Sequence, residues 1–207
     1  MLLDRLGELL GPGVDGVVRR VAPISPDALT VTGMALNGVA CALFALAGGE
    51  GYADPDRLLW GGLVALGAAV FDMLDGRVAR LRGRETQWGA FLDSTMDRYS
   101  DMLLYLGLMI LYARFDDTPH MVLVWVAAFG TFMTSYTRAR AESLLARCSV
   151  GFLERPERLA LIILGAVMNH MVAVLWLIAV LANLTAMQRI FYVHRELKRR
   201  EPTAGPQ

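Results

Sequence analysis

Apolar residues along the chain gather into long blocks separated by short charged or glycine-rich stretches. That is the pattern of membrane-spanning helices, not of half-buried strands or soluble amphipathic ones. The first block starts at residue 25 or 28 and runs to 47, where Gly48-Gly49-Glu50-Gly51 ends it. Further blocks cover residues 58–74, 90–112 and 121–141. Residues 158–193 are too long for one span, and Asn169-His170 predicts a break. The break leaves a short fifth segment, whose start the pattern does not fix, and a sixth over residues 171–192. Apart from the fifth, each is near the ~20 residues that a bilayer demands. Residues 1–20 instead alternate apolar and charged positions, interrupted at Gly11-Pro12-Gly13, which predicts an amphipathic helix lying at the interface. The expected fold is therefore all-α: a juxtamembrane helix over 1–24, a six-transmembrane-helix bundle over 25–195, and a basic, disordered tail over 196–207.

Composition supports a membrane protein, with 55% hydrophobic residues and a positive mean hydropathy. The formal net charge is zero, so overall charge gives no reason to expect a nucleic-acid partner. Cys41 and Cys148 do not form a disulfide framework and read as free thiols. Charged residues from Asp4 to Arg20 leave residues 1–23 without the unbroken apolar core of a cleavable signal peptide. With six spans both termini share one side, and so do the loops around 77–88 and 142–157. That side collects most of the arginines, whereas the opposite loops hold only Arg57 and Arg114 beside Asp54, Asp56, Asp116 and Asp117. The basic side is then cytoplasmic, placing both termini there in a multi-pass cell-membrane protein.

One stretch conflicts with an apolar environment. Asp72, Asp75, Asp93 and Asp97 fall within 26 residues at the border of the second and third blocks. An ionised carboxylate near hydrocarbon costs several kcal/mol, and a hard divalent cation is the simplest compensation. Asp72 and Asp75 lie three apart, and Gly89, Asp93 and Asp97 lie four apart, so each set shares one helix face. Two such faces turned together make a carboxylate pocket that opens to the cytoplasm.

The pattern Asp72-x2-Asp75-Gly76-x2-Ala79-Arg80-x8-Gly89-x3-Asp93-x3-Asp97 resembles the signature of the CDP-alcohol phosphatidyltransferases. Ser25-Pro26-Asp27-Ala28-Leu29-Thr30, residues 88–98, Ser135-Tyr-Thr-Arg138, residues 151–159 and Gln188-Arg189 are similar to that family's phosphatidylinositol-phosphate synthase branch. The resemblance implies a homodimeric enzyme that transfers the phosphatidyl group of CDP-diacylglycerol, or a related CDP-linked lipid, to a small cytoplasmic alcohol phosphate and releases CMP. It implies Mg²⁺ (or Mn²⁺) on Asp72, Asp75 and Asp93, with Asp97 as a further ligand or as general base. Gly76, Ala79, Arg80 and Gly89 would join these carboxylates in holding the donor. Arg138, Arg155 and Arg189 would hold the acceptor's phosphate, although the branch is expected to carry Lys where Arg138 stands.

Plainer readings exist. Basic residues such as Arg138, Arg140, Arg155 and Arg158 follow from the positive-inside rule alone, with Arg140 and Arg158 placed to pair with Glu142, Glu154 or Glu157. Asp101 continues the aspartate face, and pairing with an arginine suits it better than metal binding. Glycines 33, 38, 61, 62 and 67 read as helix-packing positions. Glycerol 3-phosphate is an alternative acceptor within the family. A carrier with buried carboxylates is the rival outside it, and an aromatic prenyltransferase would show two separated acidic motifs. The carrier would show inverted repeats, and none is visible.

Overall fold

A computed structural model describes residues 20, 23–48, 53–83, 86–145 and 148–200. Six helices follow one another: α1 (Pro26–Leu46), α2 (Pro55–Leu81), α3 (Gln87–Ala113), α4 (Thr118–Glu142), α5 (Arg155–Val167) and α6 (Met171–Arg200). Among the described residues the only β feature is an isolated Gly48–Ala53 bridge. The expected interfacial helix and residues 201–207 lie outside the described residues, apart from Arg20.

Local chemistry sets the helix starts. Ser25, Asp54, Thr86 and Asp117 are N-caps whose side-chain oxygens accept backbone N–H groups, and proline sits in the first turn of α1, α2, α4 and α5. The break before α6 falls where expected. Asn169 adopts φ 54°, a left-handed conformation that asparagine tolerates, and the His170 N–H closes on Gly165 O at 2.8 Å. Two ends differ from expectation. Helix α2 continues seven residues past Leu74, carrying the first aspartates on regular helix, and α6 continues through residues 196–200 of the expected tail.

α1 packs on α2 and α3, α2 on α5, α3 on α4, and α6 on α4 and α5. Phe44, Leu58, Leu104, Leu108, Leu175 and Ile178 form the interior. Large apolar side chains also cover the outside, among them Trp60, Trp125, Phe129, Trp176 and Phe191. So apolar an exterior suits lipid, not water. α1, α2 and α6 are each long and apolar enough to cross a membrane. Small residues allow the closest approaches. A Cβ on Gly107 would lie 2.5 Å from Cys41 O, one on Gly61 2.5 Å from the Phe44 ring, and one on Gly62 2.8 Å from Ala166. Gly38 and Gly67 face open space, so the packing role expected of them does not hold.

Candidate active site

The C-terminal half of α2 carries Asp72 and Asp75, the N-terminal half of α3 carries Asp93 and Asp97, and the two aspartate faces meet. Carboxylate oxygens of Asp72, Asp75 and Asp93 all lie within 4.8 Å of one another. Asp75 is buried and accepts a 2.6 Å hydrogen bond from Thr30 Oγ1 of α1. Asp97, one turn deeper on α3, has Oδ1 2.9 Å from Arg155 Nη1. That oxygen is buried and makes no aligned hydrogen bond with any described residue. Three converging carboxylates, with Asp97 Oδ1 ion-paired to Arg155 beside them, are a hard-oxygen donor set, and they fit a divalent cation.

A cleft of about 490 Å³ opens beside them, lined by Asp75, Gly76, Ala79, Arg80, Gly89 and Asp93 together with Thr30 and Trp88. Every residue expected to hold the donor lines it except Asp72, which faces the deeper side and accepts a 2.7 Å hydrogen bond from Arg155 Nη1. Gly89 also serves the helix start, donating its N–H to Thr86 Oγ1 at 2.9 Å.

The three arginines assigned to the acceptor divide. Arg155, at the start of α5, sits inside the acidic cluster, bridging Asp72 and Asp97 with Nε 3.5 Å from Asp101. Arg138 and Arg189 converge instead on Glu154, the neighbouring N-cap residue: Arg138 Nη1 lies at 3.3 Å and Arg189 Nη2 at 3.9 Å from Oε1. Arg189 is almost fully buried on α6, and its Nε and Nη1 donate to Val150 O (2.8 Å) and Thr134 O (2.6 Å). Only part of its guanidinium therefore remains for a ligand. The expected pairing of the neighbouring arginines is corrected as well. Arg158 binds Asp101 at 3.3 Å and Arg140 donates to Ser143 Oγ, while Arg138 takes Glu142 at 3.1 Å. Asp101 thus pairs with arginine, as expected. Thr30 had no assigned role, though it stands in the segment that carried the resemblance before the first span, and Glu154, expected as a partner for Arg140 or Arg158, meets Arg138 and Arg189 instead.

Residues 23–188 match the sequence model of the family described as CDP-alcohol phosphatidyltransferase. The archaetidylinositol phosphate synthase of Methanothermobacter thermautotrophicus is 34% identical over 203 residues, covering 95% of this chain and 96% of that protein. The phosphatidylinositol phosphate synthase of Mycobacteroides abscessus is 35% identical over 199 residues, covering 92% and 86%. Two crystal structures of the Mycobacterium tuberculosis phosphatidylinositol phosphate synthase share the fold at 31% identity. One, with CDP-DAG bound, superposes with TM-score 0.75 and covers 86% of this chain and 92% of that one. The other, in complex with manganese and citrate, gives 0.76 and covers 86% and 88%. The chain belongs to the CDP-alcohol phosphatidyltransferase family. It is a membrane-bound phosphotransferase, which removes the carrier alternative.

Proposed function

We propose that the protein transfers the phosphatidyl group of CDP-diacylglycerol, or a related CDP-linked lipid, to a hydroxyl of inositol phosphate, releasing CMP. The observation that carries this reading is the meeting of Asp72, Asp75 and Asp93 at the mouth of a cleft lined by Gly76, Ala79, Arg80 and Gly89. The relatives named for inositol-phosphate lipid synthesis supply the acceptor class.

The cytidine diphosphate lies in the cleft, where Gly76 and Gly89 present backbone without side chains and Arg80 donates to phosphate. Asp72, Asp75 and Asp93, with Asp97, would hold Mg²⁺ or Mn²⁺. Such a cation neutralises the diphosphate and stabilises charge developing on the leaving CMP. An acceptor oxygen attacks the lipid-side phosphorus, the new O–P bond forms, and the bond to the CMP phosphate breaks. Asp97 takes the hydroxyl proton, because an alcohol is a weak nucleophile at neutral pH. Arg155, with Arg138 and the free edge of Arg189, holds the acceptor's phosphomonoester by charge-assisted hydrogen bonds.

Six spans are part of the same reading. α3 and α4 have 27 and 25 residues and pack in one bundle with the three more apolar helices. Asp93, Asp97 and Asp101 lower the hydropathy of α3 without shortening it. Both termini and the aspartate cluster then face the cytoplasm, and the enzyme works as a homodimer, a state carried by resemblance.

The test is CMP release by purified protein with CDP-diacylglycerol and Mg²⁺, offered inositol 1-phosphate, free inositol, glycerol 3-phosphate or serine, each with and without EDTA. EDTA-sensitive release with inositol 1-phosphate is the expected result. Release only with glycerol 3-phosphate overturns the acceptor assignment, and EDTA-resistant release overturns the metal site.

A further inference from the structure

Asp101 lies outside the aspartate pattern, yet it pairs with two arginines of α5. It follows Asp93 and Asp97 at the same four-residue spacing, one turn deeper on α3, and is buried. Its two oxygens serve two arginines of α5: Oδ1 lies 3.5 Å from Arg155 Nε and Oδ2 3.3 Å from Arg158 Nη2. Those arginines are three residues apart on one helix face, so they repel each other unless an anion lies between them. Arg158 is fixed: only 3% exposed, it also reaches Leu153 O at 3.4 Å and Ser135 Oγ at 3.5 Å.

Arg155 is held differently. Its Nη1 bridges Asp72 (2.7 Å) and Asp97 (2.9 Å), two of the carboxylates assigned to the cation, while buried Nε makes no aligned hydrogen bond. A cation on Asp72 and Asp97 competes for the oxygens that Nη1 now uses. Asp101 is the carboxylate that stays with Arg155 once those are taken, and it meets the Nε edge. The Nη edge is then left to point at a phosphate.

We infer that Asp101 is a positioning residue for acceptor specificity: backed by Arg158, it fixes the Nε edge of Arg155 so that the Nη edge binds the acceptor's phosphomonoester. The inference rests on the acceptor reading above. Asp101 touches no substrate itself.

The test compares Asp101→Asn, Arg155→Ala and the double variant, measuring KM for inositol 1-phosphate, KM for CDP-diacylglycerol and kcat. Equilibrium binding of inositol 1-phosphate to CMP-loaded protein in Mg²⁺ supplies a readout without turnover. Asp101→Asn is expected to weaken acceptor binding and raise acceptor KM by ~10-fold, the scale of one displaced charge-assisted contact. Donor KM is expected to stay within about two-fold, and the double variant to be no weaker for acceptor than Arg155→Ala alone. Equal shifts in both KM values, or additive losses in the double variant, would show a merely structural role and overturn the inference. If Asp101→Asn fails to fold because Arg158 is left unpaired, Asp101→Asn with Arg158→Gln leaves no unmatched buried charge and carries the same comparison. Wild-type protein that ignores inositol 1-phosphate removes the acceptor reading and this inference together. Wild-type use of it alongside an unchanged acceptor KM in Asp101→Asn removes the inference alone.

Discussion

Replacing Thr30 with valine keeps the side chain's shape and deletes one hydroxyl. That hydroxyl donates to Asp75 Oδ2 at 2.6 Å, with both residues buried, and also reaches Pro26 O at 3.1 Å within α1. A short hydrogen bond to an ionised, buried acceptor belongs to the strong class, worth ~1.5–3 kcal/mol. Asp75 accepts it with one oxygen, so the bond fixes how the other faces Asp72 and Asp93. Partners that orient a ligating carboxylate typically change metal affinity by ~10–100-fold when removed. Thr30→Val is therefore expected to raise the Mg²⁺ concentration giving half-maximal CMP release by at least ~10-fold, with kcat at saturating Mg²⁺ close to wild type. Mn²⁺ binding followed by electron paramagnetic resonance should show the same weakening without turnover. Thr30→Ser, which keeps the donor, should restore most of the affinity. The loss in Tm should be larger in excess Mg²⁺ than in EDTA, because a cation bound more weakly stabilises the variant less than it stabilises wild type. Wild-type metal dependence in Thr30→Val would refute the claim that α1 orients the site through this contact.

Asp97→Asn should lower kcat by ~10²-fold or more while CDP-diacylglycerol binding, measured separately, stays near wild type; undiminished turnover would remove Asp97 as the proton acceptor. Gly107→Ala should lower stability by ~1–3 kcal/mol in detergent unfolding, because its Cβ would meet Cys41 backbone, which cannot rotate aside; an unchanged unfolding midpoint would mean that α1 and α3 have slack. Arg189→Lys keeps the charge but cannot satisfy both Val150 O and Thr134 O. It should expose residues 148–154 to limited proteolysis, and wild-type resistance would deny Arg189 its role in seating that segment.

Much of this arrangement is readable from sequence because two signals are local. Hydropathy marks the blocks, and three- and four-residue spacing puts Asp72 with Asp75 and Asp93 with Asp97. Asn169 announces the break before α6 because few other residues adopt positive φ cheaply. Hydropathy fails where helix and membrane part company. Asp72, Asp75, Arg77 and Arg80 end the apolar run, yet leucine, alanine and arginine remain good helix formers, so α2 continues to Leu81. Similarly, Lys198, Arg199 and Arg200 read as tail but extend α6. Long-range pairing is the other gap. Arg155 meets Asp72 across 83 residues, and Arg158 meets Asp101 across 57. Nearby Glu142, Glu154 and Glu157 offered partners that were closer in sequence but not in space. Gly61 and Gly38 differ for the same reason: only the helix faces in contact decide which glycine lies under Phe44 and which faces nothing.

The length of α6 has a consequence for how substrate reaches the enzyme. Its 30 residues extend about 45 Å, against a hydrocarbon thickness of about 30 Å. The surplus lies at the C-terminal end, beyond Arg189 and so on the same side as the acidic cluster. It carries Arg195, Lys198, Arg199 and Arg200, all exposed, with Glu196 only partly offsetting them. In the orientation proposed above, this cationic post stands at the depth of lipid headgroups, where each basic residue near an anionic leaflet contributes roughly 1 kcal/mol of attraction. Its range is set by the ionic atmosphere, about 8 Å at physiological salt. The liponucleotide and inositol phosphate of the proposed reaction are both polyanions, so on that reading both are enriched locally before either touches the cleft, and that enrichment fades as ionic strength rises.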